Sequence, residues 1–298
     1  MQRILLFLFL FCCCMAVPCS AEDKEIRDEL RTPGVLHHLG IPYAQFVTGS
    51  GDGFDVELMQ EFAADLGLSY RFVPSTWSRV IGDLTGVSVN KRGNGRVVSA
   101  SGSIRGDVIA SGFTVLPWRS KVVRFSEPVF PTQVWLVTRM DAPISPIEPS
   151  GSIARDIELV KDRLQSHSVI GMANTCLDPR EYLLQDHAKS YVLFYGNVND
   201  LAPALLAGEA DTVLLDAPDA VLAMRNWPGK LKIIGPVSRK QVMAVAFRST
   251  DKHLCRAFNG YLGRIRRSGR YMELVDRYYP EIKQYFPKFF KMGSSGDS

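Results

Sequence analysis

Apolar residues recur along the chain with two periods, and stretches of the two kinds alternate. In "GFDVELMQEFAADLGL", residues 53–68, Val56, Leu58, Met59, Phe62, Ala63 and Leu66 keep close to a 3.6-residue spacing. That predicts a helix with one face laid on a sheet, and Gly67 ends it as a C-cap glycine would. "SYRFVPS", residues 69–75, alternates as a strand, whereas "DVIASGFTVL" (107–116) and "ADTVLLD" (210–216) are apolar enough to be strands buried on both faces. Between Leu84 and Asp107, valines alternate with polar residues on either side of Gly93-Asn94-Gly95, a turn signal that predicts a protruding hairpin. "DAPISPIEPSGS" (141–152) is a connector rich in proline and serine, and its Ser152 is placed to cap a helix in "IARDIELVKDRL". Helix and strand patterns alternating in this way predict an α/β fold, and neither repeats nor low-complexity tracts interrupt them.

The first 21 residues follow a different rule. Arg3 precedes the apolar run "ILLFLFLFCCCMAV", and "CSA" places small residues before Glu22. The run is short of the ~20 residues a spanning helix needs, so it reads as a secretory signal peptide. A lipoprotein anchor at Cys19 is disfavoured by Pro18 directly before it. Removing the segment leaves Cys176 and Cys255 as the remaining cysteines and lowers the net charge from +4 to +3 with the loss of Arg3. So small a balance implies no nucleic-acid partner. The basic run "RIRRSGR" (264–270) reads as a solvated helix face. His37 and His38 would point to opposite faces of a strand, and His167, His187 and His253 show no metal spacing, so neither metal nor cofactor is expected.

One arginine stands out in "SGFTVLPWRSKVVRFSEPVF" (111–130), among residues otherwise suited to burial. This stretch resembles the "agltiTpeR...vdFSdPy" signature of the extracytoplasmic solute-binding proteins of family 3, the amino-acid-binding branch. "GEADTVLLDAPDA", "GFDVELMQEFAADLG" and the closing "LCRAFNGYLGRIRRSGRYMELVDRYY" resemble three further family motifs, in the family's order. The resemblance implies a two-lobed type 2 periplasmic binding protein fold, each lobe a mixed sheet flanked by helices, with ligand in the cleft. Lobe 1 would hold residues 22–131 and 243–298 and lobe 2 residues 132–242. The hinges would lie near Pro131 to Gln133 and Gln241 to Met243. Cys176 and Cys255 would then sit in different lobes as free thiols.

The same resemblance implies a site. Arg119 maps onto the family arginine that grips the ligand's α-carboxylate, a task suited to the paired donors of a guanidinium. The bland alternative is a structural ion pair with Glu127. Thr114 and Gly112 map onto residues that help hold the carboxylate, the first by its hydroxyl and the second by its backbone. Asp216 would take the α-ammonium, although it could simply cap the next helix. In "IGMANTCLDPREYLL", read as strand, turn and helix N-terminus, the backbone N–H groups of Thr175 and Cys176 would favour an anion, with Thr175 as a mere N-cap the alternative. Tyr43 and Trp77 would recognise the ligand side chain or else be core. Leu116 and Trp118 replace a threonine and an acidic residue of the pattern, "ANTC" lacks its glycine, and the hairpin is extra. The ligand would therefore be an unusual amino acid, an opine-like compound or a carboxylate without an ammonium. The expectation is a monomeric periplasmic protein that presents this ligand to an inner-membrane ABC-type permease and is not an enzyme. A sensory protein without a transporter and a dehydratase of cyclic amino acids are the alternatives.

Overall fold

The computed structural model describes residues 21–292 except 50, 93–94 and 101. The expected signal peptide therefore lies outside the described residues, apart from its last position. The described residues form fourteen strands: β1 (Val35–Gly40), β2 (Ser69–Pro74), β3 (Val87–Arg92), β4 (Gly95–Ala100), β5 (Val108–Ile109), β6 (Val123–Phe125), β7 (Phe130–Thr132), β8 (Val134–Arg139), β9 (Ser168–Met172), β10 (Ser190–Phe194), β11 (Thr212–Asp216), β12 (Leu231–Pro236), β13 (Gln241–Met243) and β14 (Ala246–Arg248). They form two five-stranded mixed sheets, ordered β2-β1-β5-β14-β6 and β10-β9-β11-β8-β12, and two ribbons. One ribbon, the antiparallel pair β7 and β13, carries the chain from one sheet to the other and back. The two-lobed α/β architecture that the motifs imply is thus the one observed.

Each sheet is buried because its strands are continuous apolar runs. Every residue of β11 is buried, as are the first five of β8 beside it. The helix Phe54–Asp65 packs its predicted face inward, with Val56, Leu58, Met59, Phe62 and Ala63 buried, and Gly67 beyond it has a positive φ of 62°. The basic run 264–270 is tied down rather than merely solvated. It ends the helix Lys252–Ser268, where Arg264 meets Asp65 at 2.5 Å, and beyond it Arg270 meets Glu61 at 2.6 Å.

Three expectations change. The apolar run 107–116 is not one strand: only Val108–Ile109 pairs in the sheet, and the chain breaks at Gly112, whose φ is +56°. A Cβ there would lie 2.7 Å from the Phe46 ring and 2.8 Å from the Tyr43 ring, so a close approach of backbone to aromatics ends the strand. Residues 113–115 then run beside β13, with Thr114 bridged to Met243. Ser152 occupies the N-cap of the helix Ile153–Asp162 without a side-chain cap bond, and Asp156 instead accepts from the Ser150 N–H at 2.8 Å. The segment after β9 opens no long helix; it holds the 3-10 turns Pro179–Glu181 and Leu184–Asp186. Gly171 explains the tight return, because a Cβ there would fall 2.1 Å from the Leu177 carbonyl oxygen. The predicted hairpin is present as β3 and β4 in antiparallel register, its two turn residues lying outside the described ones.

Candidate functional site

Arg119 opens a 3-10 turn just past Pro117 and is 2% exposed. Its guanidinium carbon lies 4.0 Å from the Phe113 ring centroid, 5.2 Å from that of Trp118 and 6.0 Å from that of Trp77. Nη1 donates to the Thr114 carbonyl at 2.9 Å, whereas Nε has no partner. Among the described residues no carboxylate, that of Glu127 included, forms an ion pair with it. Burial lowers the guanidinium to about 10, with Cys176 opposing and Arg96 adding to the shift. A cation so placed, stacked on rings and unneutralised, is costly unless an anion joins it.

Asp216 ends β11 on the other sheet and is 1% exposed. It stands at the N-cap of the helix Ala217–Asn226 but its side chain closes no cap bond, and Oδ1 has no partner. Burial raises its carboxyl to about 6, and the nearby Tyr43 hydroxyl holds it back from rising further. That hydroxyl lies close enough to favour the carboxylate, yet it completes no hydrogen bond to it. Burial, with Asp216 next to it, pushes Asp219 well above the usual carboxylate range. Two adjacent acids of unequal proton affinity therefore sit at one end of β11.

Between Arg119 and Asp216 the two lobes touch. The Thr114 hydroxyl donates to Cys176 Sγ at 3.3 Å, and the thiol in turn faces Asp216 Oδ2 at 3.8 Å. Cys176 and Cys255 are both free and buried. The Thr175 hydroxyl is locked inside its own turn, donating to the Met172 carbonyl and accepting from the Leu177 N–H. Neither the Thr175 nor the Cys176 N–H donates to another backbone carbonyl among the described residues. Tyr43 and Trp77 meet edge to face with centroids 5.7 Å apart. Gly112 is adjacent, but its N–H is engaged by Asp55 Oδ2 at 2.6 Å. The eight residues expected at the site thus come together, with this one backbone donor already taken.

Other residues at the site carried no assigned role in the sequence. Arg96, from the hairpin, stacks 3.9 Å over the Trp118 ring and pairs with Glu181 across the cleft at 2.5 Å. Trp118 was legible only as a departure from the family motif. Tyr182 donates to the Cys176 carbonyl at 2.6 Å. The paired histidines are structural: His38 meets Tyr70 at 2.8 Å and the Ala110 carbonyl at 2.6 Å, while His37 meets Asp107 at 3.0 Å. Burial lowers His38 to about 4, so the ring is neutral, Nε2 donates to the carbonyl and Nδ1 accepts from the tyrosine. No group of three or more His, Cys, Asp or Glu that could hold a metal occurs among the described residues.

Comparison with known proteins bears on these features. A "Membrane-bound lytic murein transglycosylase F" from Desulfosudis oleivorans is 22% identical over 78% of this chain and 45% of its own length. A "Probable histidine-binding protein" of Neisseria gonorrhoeae is 23% identical over 88% of this chain and 89% of its own. Among solved structures, a mutant of ArgBP from T. maritima superposes with a TM-score of 0.67 at 27% identity, covering 87% of this chain and 100% of that one. The chain spans about half the length of the transglycosylases it matches. The expectation that the protein is not an enzyme does not survive, because several of these relatives carry an enzyme's name. That expectation rests on the sequence showing no Ser-His-Asp or Cys-His arrangement and singling out no cleft acid, and the lack of a recognisable motif does not exclude catalysis. Residues 94–281, which hold Arg119, Cys176 and Asp216, match the model of the bacterial extracellular solute-binding proteins, family 3, and the chain belongs to that family.

Proposed function

We propose that the chain captures a small dipolar ligand, an amino acid or a related carboxylate, between its two lobes. Buried polar atoms without partners carry this reading: Arg119 Nε on one side of the cleft and Asp216 Oδ1 on the other, with the Tyr43 hydroxyl beside the latter. Buried groups of this kind are normally paired, and two of opposite charge left unpaired on facing sides of one cleft support a ligand that brings the matching charges. Arg119 and the Thr175 and Cys176 N–H groups would take the carboxylate, and Asp216 the ammonium. Lobe 1 would comprise residues 22–131 and 243–298 and lobe 2 residues 132–242, hinged on the ribbon of β7 and β13. Ligand touching both lobes gains contacts made only on closure and shifts the population to the closed form. Relatives named for histidine binding and an arginine-bound ArgBP support the amino-acid class.

The protein would act in the periplasm as a monomer, released there by its signal peptide, and present its cargo to an ABC-type permease. Co-purification with a permease tests that partnership against a stand-alone sensor. The binding itself is tested by mass spectrometry of small molecules released on denaturation, followed by calorimetry with the compound found. Arg119→Ala should weaken that compound by ~30-fold or more, since truncating a buried charged partner costs about 2–5 kcal/mol. Undiminished binding would refute the assignment. The transglycosylase relatives favour a second reading, in which this ligand site serves a murein-processing enzyme; release of soluble fragments from murein sacculi tests it.

A further inference from the structure

An α-carboxylate and an α-ammonium do not satisfy every orphaned atom of the cleft. With Arg119 Nε and the two backbone N–H groups given to the carboxylate and Asp216 Oδ1 to the ammonium, Trp77 Nε1, Trp118 Nε1 and Arg96 Nη1 remain buried without an acceptor. All three can only donate. They lie close together: both indole rings are within 6.0 Å of the Arg119 guanidinium carbon, and Arg96 stacks at 3.9 Å on the Trp118 ring. Arg96 is held in that place from two sides, by the indole beneath it and by Glu181 of the opposite lobe at 2.5 Å.

We propose that the ligand's distal end is a hydrogen-bond acceptor, a carboxylate or a carboxamide, seated against Trp77, Trp118 and Arg96, and that Arg96 and Trp118 therefore set specificity. This rests on the dipolar-ligand reading above and extends it to the side chain. A cationic end would bring like charge toward Arg96 and Arg119 and leave three donors unmet. An alkyl end would leave the same donors unmet. An acceptor end removes that penalty at all three positions, and the hairpin that the family motif lacks supplies one of them.

The test is calorimetric titration of the full chain with L-glutamate, L-glutamine, L-norvaline and L-arginine, the weak binders by competition. Glutamate or glutamine should bind at least about tenfold more tightly than norvaline and arginine, the discrimination expected when buried donors find or lack a partner. Trp118→Phe, which keeps a ring and removes the N–H, and Arg96→Met, which keeps chain length and removes the donors, should each weaken the better ligand at least about fivefold. Trp118→Phe should leave norvaline within about twofold, and Arg96→Met should weaken norvaline clearly less than the better ligand, since norvaline loses only the closure help of the Glu181 pair; a merely structural role would weaken every probe alike. Tighter binding of arginine or norvaline, or equal weakening of every probe by the variants, overturns this inference while the dipolar reading stands. Binding of none of the four also overturns the inference, and the dipolar reading is then decided separately by the compound released on denaturation.

Discussion

Asp55 shows at the residue scale how a buried acid couples the cleft wall to pH. Burial raises its carboxyl to about 7, and its bond to the Gly112 N–H partly opposes the rise. Because the folded value exceeds the unfolded one, the stabilising contribution is full below the unfolded range near 3.8 and is lost as pH rises through about 7. Asp55→Asn keeps an oxygen for the Gly112 N–H and removes the titration. Urea unfolding should therefore show the variant gaining roughly 2–4 kcal/mol on the wild type between pH 4 and pH 8. A pH-independent difference would show that the carboxyl is not held protonated. The sequence placed Asp55 in the helix motif and nothing more, because its neighbour Gly112 is 57 residues away.

At the scale of elements, the hairpin of β3 and β4 reaches the 3-10 turn at Glu181 through Arg96. Its valine alternation and Gly93-Asn94-Gly95 turn made the hairpin itself legible, but the alternation says only which residues share a face. Its reach to lobe 2 depends on where the turn after β9 falls, which Gly171 fixes by letting the Leu177 carbonyl approach its Cα. An ion pair between half-buried side chains contributes on the order of 1 kcal/mol. Glu181→Gln should accordingly speed ligand release roughly two- to fivefold, with little change in association, when followed by stopped-flow tryptophan fluorescence. An unchanged dissociation rate would show that the contact does not help hold the cleft shut.

For the whole molecule, closure is readable through one thiol. Cys176 lies between Thr114 and Asp216 where the lobes meet, and burial first, then Asp216, raises it to about 12. Cys255 instead donates to the Phe125 carbonyl at 3.6 Å. In a Cys255→Ser protein, saturating ligand should slow modification of Cys176 by a disulfide reagent about tenfold or more, since reaction requires an exposed thiolate. In a Cys176→Ser protein the rate at Cys255 should not respond to ligand. Equal rates at Cys176 with and without ligand would contradict closure over the site. Read from the sequence alone, the apolar periodicities and the glycine turns established an α/β chain, while its two lobes and the proposed charged pair of Arg119 and Asp216 followed from the family that the motifs resemble. These signals are local: each depends on residues within one element or its flanking turns. Tertiary structure alone decided that Gly112 breaks its strand against Tyr43 and Phe46, that its N–H belongs to Asp55, and that Arg96, Trp118 and Glu181 join the site. The first two depend on packing within one lobe and the third on where the two sheets place their loops, and both are set by contacts between residues remote in sequence.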